Sequence, residues 1–326
     1  MEESPPPCAP ILLVGFNRPD FLREQLRAIA PAKPGRVFLA VDGPRPDRPG
    51  EAARCEASRN AVHAIDWPCQ VQTLFHPENL GCKYGPPAAI TWFFSHVAAG
   101  IILEDDCRPT LDFLRFASEL LARYAEDSRV GMISGNNHYG FQTNPVDSYR
   151  FSRDVSIWGW ASWRRAWAAY EVEPECYRDE IDALLERSMQ TRRGRRLKRA
   201  FFNRVLATKN TWDIQWNLSL VRENLLVVAP RANLVRNTGF IAASTHTGGF
   251  CADQPCYERT GTLAWPLVHP AEVRLDAKAD RLHELRATGR LPRLLTVLGT
   301  KGGRPGRAVA RLLAKCEPYA PGLFRL

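Results

Sequence analysis

Five short apolar runs in the first 135 residues are separated by amphipathic or loop segments, and this alternation constrains the fold most. They are ILLVGF (11–16), RVFLAVDG (36–43), CQVQTLFHP (69–77), GIILEDD (100–106) and VGMISG (130–135). Helical stretches lie between them: FLREQLRAIA, EAARCEASRNAVHAI, PPAAITWFFSHVAAG and TLDFLRFASELLARYAED. In the last of these, Leu111, Phe113, Leu114, Ala117, Leu120, Leu121 and Tyr124 make one broad apolar face, the spacing of a helix lying on a core. Apolar strands alternating with helices predict an α/β sheet with parallel strands covered on both faces. Ligands of such sheets sit beyond the carboxyl ends of the strands. The polar residues at those ends are Asn17 and Arg18, Asp42, Asn79 to Lys83, and Glu104, Asp105 and Asp106, which are expected to share one crevice.

The triplet is the most demanding of these groups. Three like charges at the mouth of a buried strand repel one another and resist desolvation. Negative charge ahead of the helix at 110 suits the helix dipole, which accounts for one acid better than for three. A hard divalent cation accounts for all three, because Mg²⁺ and Mn²⁺ bind one or two carboxylates together with substrate phosphates.

The other candidates each admit two readings. Asp42 before Gly43 is either a turn residue or an acceptor for a nucleobase edge or ribose. Arg18, just ahead of a helix N-terminus, is a surface arginine or a phosphate or base contact. Lys83 lies in NLGCKYG, whose glycines permit close backbone approach but match neither a P-loop nor a dinucleotide fingerprint. Asp213 in TWDIQW is an N-cap acid or a general base between two tryptophans. His246 in STHTGG touches a metal or diphosphate, or decorates a loop.

The second half changes character. Tryptophans at 158, 160, 163, 167, 212 and 216 suit a core or a sugar-binding surface. The net charge of +9 gathers in RSMQTRRGRRLKR (187–199) and in the segment from Lys301, whose only acid is Glu317. Such clusters are solvated helix faces or contacts for a polyanion, whether nucleic acid, an anionic membrane surface or a phosphate-bearing substrate. Nine cysteines without CxxC spacing, an acidic proline-rich start and the lack of a long apolar run favour a reduced, cytoplasmic setting. Cys251 and Cys256 are near enough in sequence to pair as loop neighbours.

Taken in order, PILLVGFNRP, AVDG, ILEDD with PTLDFLRF behind it, IWGWASWRRAW, TWDIQW and the Gly-containing segment with His246 resemble GT-A-fold, nucleotide-sugar-dependent glycosyltransferases. The likeness is to the N-acetylglucosaminyltransferase I type and to bacterial family-2-like proteins with an ILEDD motif, and it spans roughly residues 10–250. It implies a GT-A, Rossmann-like mixed sheet covered by helices. Residues 1–135 would form the nucleotide-sugar half, 136–268 the acceptor half of the same domain, and 269–326 a basic helical tail.

By resemblance the triplet corresponds to the DxD-type motif. Asp106 is then the direct ligand of Mn²⁺ or Mg²⁺, while Glu104 and Asp105 contact sugar or ribose. Arg18 and Asp42 match positions that hold the base, commonly uracil, so a UDP-sugar is the implied donor. Asn17 and Lys83 are grouped with the donor contacts, and His246 with the metal. Asp213 matches the base that deprotonates the acceptor hydroxyl in this inverting type, and residues 238–249 match a loop that orders over the donor.

The implied acceptor is a glycan, a lipid-linked species such as a lipopolysaccharide, or another hydroxyl compound. An anionic membrane reached through the basic tail would make the enzyme peripheral. A nucleotidyltransferase of related fold lacks support, because GFNRPDF has no Gly-rich loop with Arg and Lys. A nucleic-acid module would leave the triplet, Asp42 and TWDIQW idle.

Overall fold

The computed structural model describes residues 7–239 and 259–288. The chain is α/β, with one mixed sheet of eight strands flanked by helices. Strand β1 (Ile11–Gly15) lies between β2 (Arg36–Val41) and β4 (Ala99–Glu104), with β3 (Gln70–Phe75) beyond β2, and all four run parallel. Past β4 the parallel expectation fails. Trp160–Trp163 forms β8, which inserts antiparallel between β4 and β6 (Val130–Ser134). Strand β9 (Leu226–Pro230) is parallel to β6, and β7 (Tyr149–Ser152) closes the edge antiparallel to β9. A second, two-stranded antiparallel sheet joins β5 (Cys107–Pro109) to β10 (Val235–Asn237).

Strand side chains alternate between two cores, as the period of two requires. Ile11, Leu13, Leu39, Ile101 and Leu103 face α1 (Pro19–Ile29) and α4 (Leu111–Arg123). Leu12, Phe38, Ala40 and Ile102 face α3 (Gly81–His96) and the tryptophans 160, 167, 212 and 216. Those tryptophans are core residues, stacked and tilted on one another with ring centroids 5.1–6.3 Å apart. Each fully buried large side chain of this kind contributes on the order of 1.5–3 kcal/mol. Trp163 is also buried, and Trp158 is half-buried.

Helix α4 starts where Thr110 accepts a hydrogen bond from the Phe113 N–H, so the cap and the apolar face of the sequence agree. Helix α3 starts at Gly81, five residues before the expected Pro86, because Asp42 satisfies its first amides from across the sheet. Helices α6 (Ile181–Ser188), α7 (Arg192–Thr208) and α8 (Asp213–Arg222) share a third apolar core built on Tyr177, Leu184, Phe202 and Leu218. Helix α9 (Ala277–Ala287) returns to edge strand β7 and reaches across to the start of α7. Two short helices, α2 (Glu51–Arg59) and α5 (Arg164–Trp167), follow β2 and β8. Among the described residues no helix is long and apolar enough to cross a membrane. His246, the loop beyond Gly239, Cys251, Cys256 and the basic tail from Lys301 lie outside the described residues.

Candidate active site

Arg18, just beyond β1, meets the acidic turn that follows β4. The chain turns directly after Glu104, and the turn is built rather than loose. Gln25, fully buried on α1, donates from Nε2 to the Glu104 carbonyl at 2.6 Å and the Cys107 carbonyl at 3.1 Å. Arg108 donates to the Asp105 carbonyl at 2.6 Å, and its other guanidinium nitrogens pair with Glu24 at 2.8 and 3.2 Å. Thr238, just past β10, donates to the Asp106 carbonyl from both N and Oγ1, at 2.9 and 3.0 Å. The next residue, Gly239, leaves room for the acid: a Cβ there would stand 2.3 Å from Asp106 Oδ2 and the carboxylate would have to turn aside. Three separate segments thus fix the backbone of the acidic turn.

The three carboxylates are unequally partnered. Arg18 grips Asp105 with two donors, Nε at 3.1 Å and Nη2 closer still, and its Nη2 lies 3.6 Å from Asp106 Oδ2. Burial pushes the Asp105 carboxyl up to about 7, although Arg18 pulls the other way. Glu104 is held well above the ordinary range, first by burial and then by the like charges of Asp106, Asp105 and Asp213, in that order. Its buried Oε1 has no hydrogen-bond partner. Asp106 keeps about a fifth of its side chain exposed.

Asp213, the first residue of α8, lies within electrostatic range of Glu104. Its Oδ1 accepts from Thr211 Oγ1 at 2.7 Å and from the Ile214 amide at 2.8 Å, while Oδ2 receives no hydrogen bond from the described residues. Cys82, at the start of α3, is in the field of both Glu104 and Asp213; burial above all pushes its thiol up to about 12.

Other expected site residues are engaged with the chain itself. Asp42 accepts four hydrogen bonds: Gly43 N and Leu80 N on Oδ1, and Asn79 Nδ2 and Gly81 N on Oδ2, all at 2.8–3.0 Å. A nucleobase there would compete with four donors. Lys83 is 4% exposed and pairs with Glu173 Oε2 at 2.7 Å, not with the triplet. Burial opposes its charge most strongly of any single cause, but Glu173 and Tyr84 together outweigh it and the amine stands above its usual value. Tyr84 holds the other Glu173 oxygen at 3.1 Å.

Asn17 donates to Glu51 Oε1 at 2.8 Å. Glu51 escaped notice in sequence among the charges of RPDRPGEAARCE, yet it is 1% exposed and accepts from the Arg45 N at 2.8 Å and from two Arg45 guanidinium nitrogens. Arg45 above all lowers the Glu51 carboxyl from its ordinary 4.5 to about 2. A depressed carboxyl stabilises the fold above its unfolded pKa, and that stability is lost as pH falls through the folded one. The advantage of wild type over Glu51→Gln in urea unfolding is thus expected to shrink between about pH 4.5 and pH 2. An advantage that stays constant over that interval would remove Glu51 from the acid limb. Gln25 did leave a signal: it occupies a core-facing position of the α1 stripe Leu22, Gln25, Leu26, Ile29, where a polar side chain must have buried partners.

No family model matches the chain, and no curated protein matches it. Among solved structures, the crystal structure of HddC from Yersinia pseudotuberculosis aligns with a TM-score of 0.30 at 11% identity, over 48% of this chain and 77% of that one. A likeness of that size carries no statement about fold family or function.

Proposed function

We propose that the chain is a metal-dependent inverting glycosyltransferase of the GT-A type, taking its sugar from a nucleotide diphosphate donor, a UDP-sugar by resemblance. The observation that carries this reading is the turn of three consecutive acids at the end of β4, with Asp213 of α8 within electrostatic range of Glu104. Arg18 is the one cation paired to the triplet's side chains among the described residues. Among the described residues no three His, Cys or acidic side chains are grouped to cage a metal, so a divalent ion would rest on one or two of the triplet's carboxylates with the donor's phosphates. The unpartnered Oε1 of Glu104 fits it as well. Asp106, with Glu104 beside it, would hold Mn²⁺ or Mg²⁺, which when bound neutralises charge on the departing diphosphate.

The protein's own groups account for the rest. Arg18 stands within reach of the triplet and supplies a guanidinium to donor phosphate or base. Thr211 and the Ile214 amide fix one oxygen of Asp213, leaving the other to take the proton of the acceptor hydroxyl. As that hydroxyl oxygen bonds to the anomeric carbon, the bond to the diphosphate breaks and the diphosphate leaves with the electron pair. A single displacement inverts the centre.

The test is a thermal-unfolding panel of nucleoside diphosphates and nucleotide-sugars, each with and without Mn²⁺. A ligand at 100 times its dissociation constant adds about 2.7 kcal/mol. One nucleotide is expected to stabilise the protein only with metal, and Asp106→Asn is expected to abolish that gain. Stabilisation unchanged by metal or by the substitution would sink the metal seat.

A further inference from the structure

Helix α7 presents a surface that the crevice chemistry does not use. Its seventeen residues, RRGRRLKRAFFNRVLAT, contain no acid. At 100° per residue Arg192, Asn203, Arg196, Ala207, Ala200, Arg193 and Arg204 fall on one arc, and every one of them is exposed. The opposite side buries Phe202 and Val205 against Leu184 and Ile181. Some cations of the helix are spent internally: Arg195 donates to the Met189 carbonyl at 3.1 Å, and Arg199 pairs with Asp182. Arg192, Arg193 and Arg196 make no ion pair among the described residues.

The helix N-terminus is already filled by a carboxylate of the chain. Glu284 of α9 accepts from the Gln190 and Thr191 amides at 2.8 and 3.0 Å. Anion attraction on this face therefore comes from arginine side chains, not from the dipole.

Apolar surface adjoins them. Leu197, 48% exposed, sits at the border of the arginine arc. It also lines a cavity of about 310 Å³ between α7 and α9, together with Met189, Phe201 and Ala287. Phosphate-rich partners differ in what they ask of such a border. Single-stranded nucleic acid needs exposed aromatic rings for its bases to stack on, and the arc carries none. An anionic bilayer asks for arginines at the phosphate level with an aliphatic side chain dipping below them.

We propose that the outer face of α7, with Leu197 at its edge, docks the protein on an anionic phospholipid surface. The contact is independent of nucleotide binding in the crevice. Each arginine near such a surface strengthens binding about fivefold, so three together supply about a hundredfold. The contact weakens with salt.

The test is co-sedimentation of the full chain with phosphatidylglycerol-containing and with phosphatidylcholine vesicles, at low and high salt, without nucleotide. The expected result is salt-sensitive binding to the anionic vesicles alone. Joint substitution Arg192→Gln, Arg193→Gln and Arg196→Gln should weaken it about a hundredfold with the unfolding midpoint unchanged. Leu197→Ser, which leaves the charge intact, should weaken it several-fold. The basic residues from Lys301 onward are present in every variant, so undiminished binding of the triple variant moves the docking to them and overturns the proposal. Undiminished binding of Leu197→Ser, or binding to duplex DNA in place of vesicles, overturns it as well.

Discussion

Asp213→Asn is expected to keep the donor and lose the transfer, by about 10²-fold or more in turnover. The asparagine Oδ1 can still accept from Thr211 and the Ile214 amide, so the start of α8 need not shift. The substitution takes away only the group that can accept a proton. Donor affinity, measured by thermal shift or calorimetry in the presence of Mn²⁺, should stay within about twofold of wild type, because the proton transfer belongs to the transition state and not to donor binding. Transfer at the wild-type rate would remove Asp213 from the chemistry. Loss of donor binding together with transfer would make Asp213 part of the crevice wall and leave the base unassigned.

Asp280→Ala is expected to be among the most damaging single changes to stability, at about 3–5 kcal/mol. Asp280 and Arg150 are each about 5% exposed at the side chain and form a buried ion pair between α9 and the edge strand β7. The same carboxylate accepts from Ser152 Oγ at 2.6 Å and from the Arg153 amide at 2.9 Å. Alanine strands a buried guanidinium, a hydroxyl and an amide at once. Asp182→Ala is the matched control: its carboxylate pairs with Arg199 but is 87% exposed, and exposed pairs contribute roughly 0–1 kcal/mol. Urea unfolding of both variants compares them. A loss below about 1 kcal/mol for Asp280→Ala would mean that α9 is not locked to the sheet by this pair.

The parts of the fold that could be read from sequence are those with a period. Strands β1, β2 and β4 are largely apolar runs with a polar residue at or just past their ends, and α4 combines an apolar stripe with a threonine cap. Strand β8 was missed because WASW carries two tryptophans in four residues, too short a run to separate strand from helix. Strands β5 and β10 have three residues each, below any periodic signal. The triplet stands out in sequence because three acids in a row at a strand end have a cost that sequence alone makes visible. Partner choice does not. Nothing in NLGCKYG says that Lys83 will turn to Glu173, ninety positions away, and nothing in AVDG says that Asp42 will spend both oxygens on the entrance to α3. Such pairings depend on which segments meet in space.

The small β5–β10 sheet has a consequence for the order in which the site comes into being. The carbonyl of Asp106 is held by Thr238, 132 positions further along the chain. A growing polypeptide therefore carries its three acids long before it has made the residue that fastens them. Closing so long a segment costs only modestly more entropy than closing a short one, because the penalty rises with the logarithm of length. The delay is set by synthesis and topology, not by a large thermodynamic toll. Until Val235 to Asn237 pair with Cys107 to Pro109, the acidic turn has its like charges and its α1 anchor but lacks its second strand. The geometry of the acidic turn is a late arrival, contingent on the whole sheet having been spun out first.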